Sequence, residues 1–200
     1  PEIEDKYKQA FLDVGYDPEG AERSGSFLQV DHSVLCSKAM QEGVEIMSTN
    51  DALLKYSWLS DYWWHAVAPE KAVYTQQVDR KQTHGYFLRT LPGVKTTYPL
   101  QSCLFIGQEG LSQNVHNIVI AEEGSELHII TGCSVAEKVQ SALHLGVPEF
   151  YVKKNAQITF TMIHNWAPEV AVRPRSGIMF GENGVFSGKL VCLEQGKDVQ

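Results

Sequence analysis

From about residue 84 onward, short apolar runs alternate with polar turns at a nearly constant interval. Residues 118–121 and 127–131 flank the polar turn 122–126, and residues 150–152 and 158–163 flank the polar turn 153–157. Thirty-one residues separate Gly124 from Asn155 at equivalent turn positions, and the same interval separates Gly93 from Gly124. Further β-prone runs at 86–90, 94–98, 103–106, 170–172, 178–180 and 185–193 fit the same rhythm, with Gly184 as a fourth turn residue. Gly and Asn tolerate the positive φ that tight turns between strands demand. Units of this length cannot bury an apolar face alone, so their repetition predicts a β-solenoid in which each coil buries its face on the next. Residues 135–144 keep helical spacing and read as a crossover helix joining two copies of the repeat.

The first eighty residues have a different texture. Ile3, Tyr7, Ala10, Phe11 and Val14 predict a short helix that Gly15 stops. A loop rich in Gly, Asp, Glu and Pro follows at 16–26, then a hairpin pairing 27–30 with 34–36, and a short strand at 43–47. Ser48 or Asn50 caps a helix over 51–67, where Leu53, Tyr56, Leu59, Trp63 and Val67 recur at the helical period before Pro69. Its aromatic stripe, which includes Trp58 and Trp64, reads as a packing face rather than a ligand platform. The expected organisation is a mixed, helical N-terminal region over 1–80 and a β-helix core over 84–200. Residues 196–200 are turn-like and show no cap, so the expectation is a shortened form or one that caps itself by dimerising.

Charge and composition narrow the function classes. The formal net charge is −7 with pI near 5.5, and there is no Lys/Arg-rich run, which argues against nucleic acid and anionic membrane as partners. No apolar run approaches the ~18 residues of a transmembrane helix. The opening PEIEDKYKQAF lacks an apolar signal core, and cytoplasmic residence is the expectation. Cys36, Cys103, Cys133 and Cys192 form no close pair, which disfavours a disulfide framework or a local zinc knuckle.

The runs QNVHNIVIAEEGSELHIITGCS, EFYVKKNAQITFTMIHNW and VRPRSG resemble the SufB/SufD family, the β-helical scaffold components of the Suf iron–sulfur cluster assembly system. The segments GVEIMSTNDALLKYSWLSDYWW and GYFLRTLPGVKTTYPLQSCLFI extend that resemblance to compact archaeal-type members, over most of residues 24–195. It implies a mainly β fold, a right-handed parallel β-helix with a small α/β N-terminal region. It also implies a SufC-type ATPase partner and pairing with a SufB/SufD-like chain or with a second copy. The family's ATPase-docking region would lie beyond Gln200. GCS matches the family's Gly-Cys-Ser/Thr, which makes Cys133 the candidate sulfur acceptor. TMIHNW matches Thr-Val-Gln-Asn-Trp, so Trp166 carries over while His164 stands where Gln is common. Phe105 and Gly107 replace an Arg-x-Asn pair, and Arg173-Pro174-Arg175 stands near a lost lysine. These departures bear on the sulfur path. Cys103 and His128 complete the candidate path residues, and a transient iron–sulfur cluster is the implied cargo.

A sulfur-accepting thiol must reach its thiolate form, and a helix N-terminus after Cys133 would help by lowering its pKa. Strand alternation puts Glu126, His128 and Ile130 on one face and Leu127, Ile129 and Thr131 on the other, with His128 facing Thr159 or Thr161 one coil away. His116, His128, His144 and His164 are individually read as structural before they are read as ligands. No GxxxxGK[ST] loop is present, so ATP hydrolysis would belong to a partner. Two other classes compete. A cupin-like metal enzyme would use histidines with Glu126 or Glu149, but no HxH occurs. The other is a purely structural dimerisation module.

Overall fold

The computed structural model describes residues 5–194 and 198–199 of the 200-residue chain. Ile3 of the N-terminal helical pattern and most of the 196–200 tail lie outside the described residues. Two sheets face each other and are wound by one chain. The first runs β2 (Ser33–Ala39), β1 (Gly25–Val30), β5 (Leu100–Ile106), β7 (Glu126–Val135), β9 (Gln157–Asn165) and β12 (Val185–Glu194). The second runs β3 (Val44–Ser48), β4 (Tyr86–Thr90), β6 (Ser112–Ala121), β8 (Ser141–Val152), β10 (Glu169–Val172) and β13 (Asp198–Val199), with β11 (Gly177–Phe180) also on β8. From β4 and β5 onward every pairing is parallel. The result is a mainly β protein, a β-solenoid of about three turns with a small N-terminal helical region.

Register follows the repeat. Ile118 pairs with Glu149 and Glu126 with Gln157, both thirty-one residues apart. The turns stack too: Gly93 N–H donates to Glu123 O, Gly124 N–H to Lys154 O, and Asn155 N–H to Glu182 O. Gly93, Gly124 and Asn155 adopt positive φ of 74°, 70° and 54°. In the last coil Asn183, at φ 56°, takes that conformation instead of the expected Gly184, so the last interval from Asn155 shortens to twenty-eight residues.

The strands read as continuous apolar runs because both faces are covered. Inside, Leu127, Ile129 and Cys133 meet Val115, Val119 and Phe150 from the opposite sheet. Outside the first sheet, Phe105 packs on Tyr7 and Phe11, with ring centroids 5.0 Å from each; Phe11 belongs to helix α1 (Lys8–Asp13). Outside the second, Phe87, Ile118, Ile120 and Tyr151 lie under Trp58, Tyr62 and Trp63.

The N-terminal hairpin and the strand at 44–48 form as the alternation predicts, and they extend the two sheets rather than standing apart from them. The helix expected over 51–67 is shorter. Ser48 Oγ accepts the Asp51 N–H and caps α2 (Thr49–Lys55), which ends at the extended Tyr56. Beyond it, Trp64 sits at φ 58°, and the N–H groups of Trp64, Ala66 and Val67 donate to the Glu149 carboxylate instead of to helical carbonyls. A tertiary acceptor has displaced local helix. Helix α3 (Val73–Lys81), with only Val78 fully buried among its apolar side chains, leaves too faint a periodicity to read.

The expected crossover helix over 135–144 is absent. β7 runs through Val135, a turn follows, and β8 starts at Ser141. Val135, Val139 and Leu143 recur every four residues, which fits a two-residue period as well as a helical one, and pairing of β8 with β6 decides between them. Pro148 lies in β8 between the stretch paired with β10, residues 141–144, and the stretch paired with β11, residues 149–152, where its missing N–H interrupts neither of those two ladders.

Candidate functional site

Inside the solenoid, alternation aims Thr131 and Cys133 of β7 at the lumen. Cys133 lies beside Leu104 of β5 on one side and His164 of β9 on the other. The opposite sheet contributes Tyr86, Asn117, His144, Gly146 and Pro148. With Met162, Val172 and Pro174 these residues enclose a cavity of about 20 Å³, room for roughly one water-sized molecule.

Its polar groups are held in place. Thr131 Oγ1 lies 2.8 Å from Ser102 Oγ and 3.4 Å from Tyr86 Oη. The Tyr86 N–H donates to Asn117 Oδ1 at 2.9 Å. Gln113 Nε2 donates to the carbonyls of Asp31 and Phe105, which leaves Gln113 Oε1 to accept from His144 Nδ1 at 2.8 Å. His144 therefore carries its proton on Nδ1 and keeps a lone pair on Nε2. Trp166 contacts both imidazoles, tilted against His144 at 5.2 Å and edge-on to His164 at 5.6 Å by ring centroids. His164 Nδ1 and Trp166 Nε1 are buried and have no hydrogen-bond partner.

Burial governs the electrostatics. It pushes the His164 imidazole down to about 4 and, aided by the neighbouring His164, the His144 imidazole down to about 3, so both are neutral near pH 7. Burial also pushes the Cys133 thiol up to about 12. That corrects the activated thiol expected from a following helix, because β7 continues past Cys133 and supplies no helix N-terminus. The site holds a protonated thiol between neutral imidazoles.

Of the candidate residues, Cys133, His164 and Trp166 converge here. Cys103 does not: it pairs with Gly132 on the outward face of β5, under the N-terminal segment, and burial raises its pKa strongly. His128 also lies outside the lumen, half-exposed on the outward face of β7 opposite Thr159. His144, read individually as structural, belongs to the lumen. The absent members are Tyr86, Asn117 and Thr131. Two signals point to them: Thr131 shares the Cys133 face by alternation, and Tyr86, Asn117 and Pro148 recur at the thirty-one-residue period. Among the described residues, no three His, Cys, Asp or Glu side chains converge to hold a metal ion.

A second buried constellation lies outside the second sheet. His116 Nε2 and Glu149 Oε2 are 2.6 Å apart with no exposed surface on either side chain. Trp63 and Trp64 cover His116, with ring centroids 3.8 Å and 4.2 Å away. Burial lowers the His116 pKa against the opposing pull of Glu149. Since the carboxylate also accepts three backbone N–H groups of the Trp loop, its geometry is that of an anchor.

Residues 104–198 match the family description "SUF system FeS cluster assembly, SufBD core domain". The chain is 49% identical, over its full length, to an iron–sulfur cluster assembly SufBD family protein of Methanothermobacter thermautotrophicus (strain Winter), covering 50% of that protein. It is 42% identical to an Archaeoglobus fulgidus protein of the same description, over 96% of this chain and 52% of the relative. Similarity reaches the iron–sulfur cluster assembly protein SufB of Bacillus subtilis, at 26% identity over 84% of this chain and 38% of that protein. The chain spans about half the length of the archaeal relatives it matches.

Proposed function

The chain belongs to the SufBD family of iron–sulfur cluster assembly proteins, and from that premise we propose that it is a non-enzymatic scaffold of cluster assembly in which Cys133 accepts sulfur. The observation that carries this reading is the placement of Cys133, aimed into the solenoid beside His164 and against a cavity of about 20 Å³. A thiol facing a void of that size can gain one sulfur atom without repacking the coil.

The transfer balances without an outside oxidant. A persulfide donor gives up its terminal sulfur: the donor S–S bond breaks, a new S–S bond forms on Cys133 Sγ, and the donor leaves as a thiolate that takes up a proton. Cys133 must first lose its own proton. His164 is the acceptor in this reading: burial keeps it neutral, its Nδ1 is unpartnered, and it lies one strand spacing, about 4.8 Å, from Cys133. Attraction between the resulting thiolate and imidazolium offsets part of the cost of creating charge in a buried site. Iron and the finished cluster are cargo. ATP hydrolysis belongs to a SufC-type partner, and a SufB/SufD-like chain or a second copy completes the assembly.

Anaerobic loading with ferrous iron and sulfide, followed by visible absorption, tests the scaffold reading. Wild type is expected to develop sulfide-to-iron absorption that Cys133→Ser develops weakly; co-purification of this chain with the cognate ATPase would place docking contacts within residues 1–200. Equal absorption in the two proteins contradicts the role given to Cys133.

A further inference from the structure

A cleft of about 420 Å³ lies between the N-terminal segment and the ends of β7 and β9. Tyr7 and Ala10 form one wall, and Ser134, Asn165 and Trp166 form the other. Ser134 and Asn165 directly follow the two lumen residues Cys133 and His164 in sequence. Trp166 thus lines the cleft while its ring lies against His144 and His164, which line the inner cavity. It is 1% exposed. Its backbone is held by a hydrogen bond to Glu194 O, yet its indole N–H has no partner.

We propose that the Trp166 indole is the partition between this outer cleft and the Cys133 cavity, and that its displacement opens a route by which reagents reach the thiol. The mid-sheet approaches are closed. Tyr86, Leu104, Asn117, Thr131 and Val172 are buried strand residues in mid-sheet. Met162, half-buried at the far end of the cavity beside its register partner Leu190 of β12, marks the competing approach together with the half-buried Pro174. On the Trp166 side the indole lines the cleft and contacts both lumen histidines, and no polar bond fixes its ring. The partition also sets a size limit: a species the size of a single small molecule passes into a cavity of about 20 Å³, and a bulky one stops in the cleft.

Site-resolved alkylation under native conditions tests this, read by mass spectrometry of peptides. Iodoacetamide forms an S–C bond, expels iodide and releases the thiol proton to the buffer. The half-buried Cys36 and Cys192 are internal positive controls, and the buried Cys103, on the outer face of the neighbouring strand, reports general loosening. In wild type Cys133 is expected to label far more slowly than Cys36. Trp166→Ala is expected to raise Cys133 labelling at least tenfold with Cys103 unchanged. Trp166→Leu, which keeps apolar bulk without the ring, is expected to fall between the two, and a bulky maleimide to gain less than iodoacetamide. Cys133 staying silent in both variants overturns the proposal. So does Cys133 rising in step with Cys103, or Met162→Ala opening Cys133 as far as Trp166→Ala does. Alkylation reads access alone, so its outcome is separate from whether Cys133 accepts sulfur.

Discussion

Cys133 and His164 are register partners on adjacent parallel strands, both turned into the solenoid and both held neutral by burial. The neutrality of His164 and of its neighbour His144 makes stability depend on pH. Their folded pKa values, about 4 and about 3, lie below the ordinary value of 6.5. Between those values the unfolded chain binds more protons than the folded one, so stability is fully present above about pH 6.5 and is lost as pH falls. At full titration the loss is on the order of 3 to 5 kcal/mol per histidine. Thermal melting from pH 7 to pH 4.5 is expected to show a falling midpoint, with a shallower fall in a His144→Gln/His164→Gln variant. Parallel curves for the two proteins contradict the assignment.

Glu149 anchors the Trp loop with one carboxylate that accepts from Trp64, Ala66 and Val67 N–H and meets His116. Glu149→Gln substitutes an amide donor for one acceptor oxygen and sets it against groups that are themselves donors. The expected cost is about 2–4 kcal/mol. Because Trp63 and Trp64 ride on this loop, their fluorescence should red-shift in the variant before global unfolding.

Gly132 and Gly93 separate close contact from backbone conformation. A Cβ on Gly132 would lie 2.5 Å from Val14 Cγ2 and 2.7 Å from Val14 O, whereas a Cβ on Gly93 meets nothing within 4 Å but sits at φ 74°. Gly132→Ala is expected to cost about 1–3 kcal/mol and to release the N-terminal segment to protease. Gly93→Ala is expected to cost about 1 kcal/mol with no change in N-terminal cleavage.

The solenoid was legible because its signal repeats. The thirty-one-residue interval of Gly93, Gly124 and Asn155 is the register seen between β6 and β8 and between β7 and β9. Alternation likewise separates the faces of Leu127, His128 and Ile129, and of the two partners it left open for His128, Thr159 and Thr161, the structure pairs it with Thr159. What failed was local inference that tertiary contacts override. The helix over 51–67 yields to Glu149, eighty-odd residues away in sequence, and the helix over 135–144 yields to pairing with β6. Helical and two-residue periods coincide over short apolar runs, so sequence alone does not separate them. The lumen site was half-visible: motif resemblance pointed to Cys133, His164 and Trp166, while Cys103 was lost to the opposite face. Alternation would have separated it, because Cys103 pairs with Gly132 and Leu104 pairs with Cys133.

The central claim is that Cys133 is the sulfur acceptor. Its most direct test is anaerobic incubation with a low-molecular-weight persulfide donor, followed by trapping and peptide mass spectrometry at all four cysteines. The account predicts one added sulfur on Cys133, none on the outward-facing Cys103, and a markedly slower gain at Cys133 in His164→Ala than in wild type. Sulfur accumulating on Cys36 or Cys192 while Cys133 stays a free thiol would contradict it.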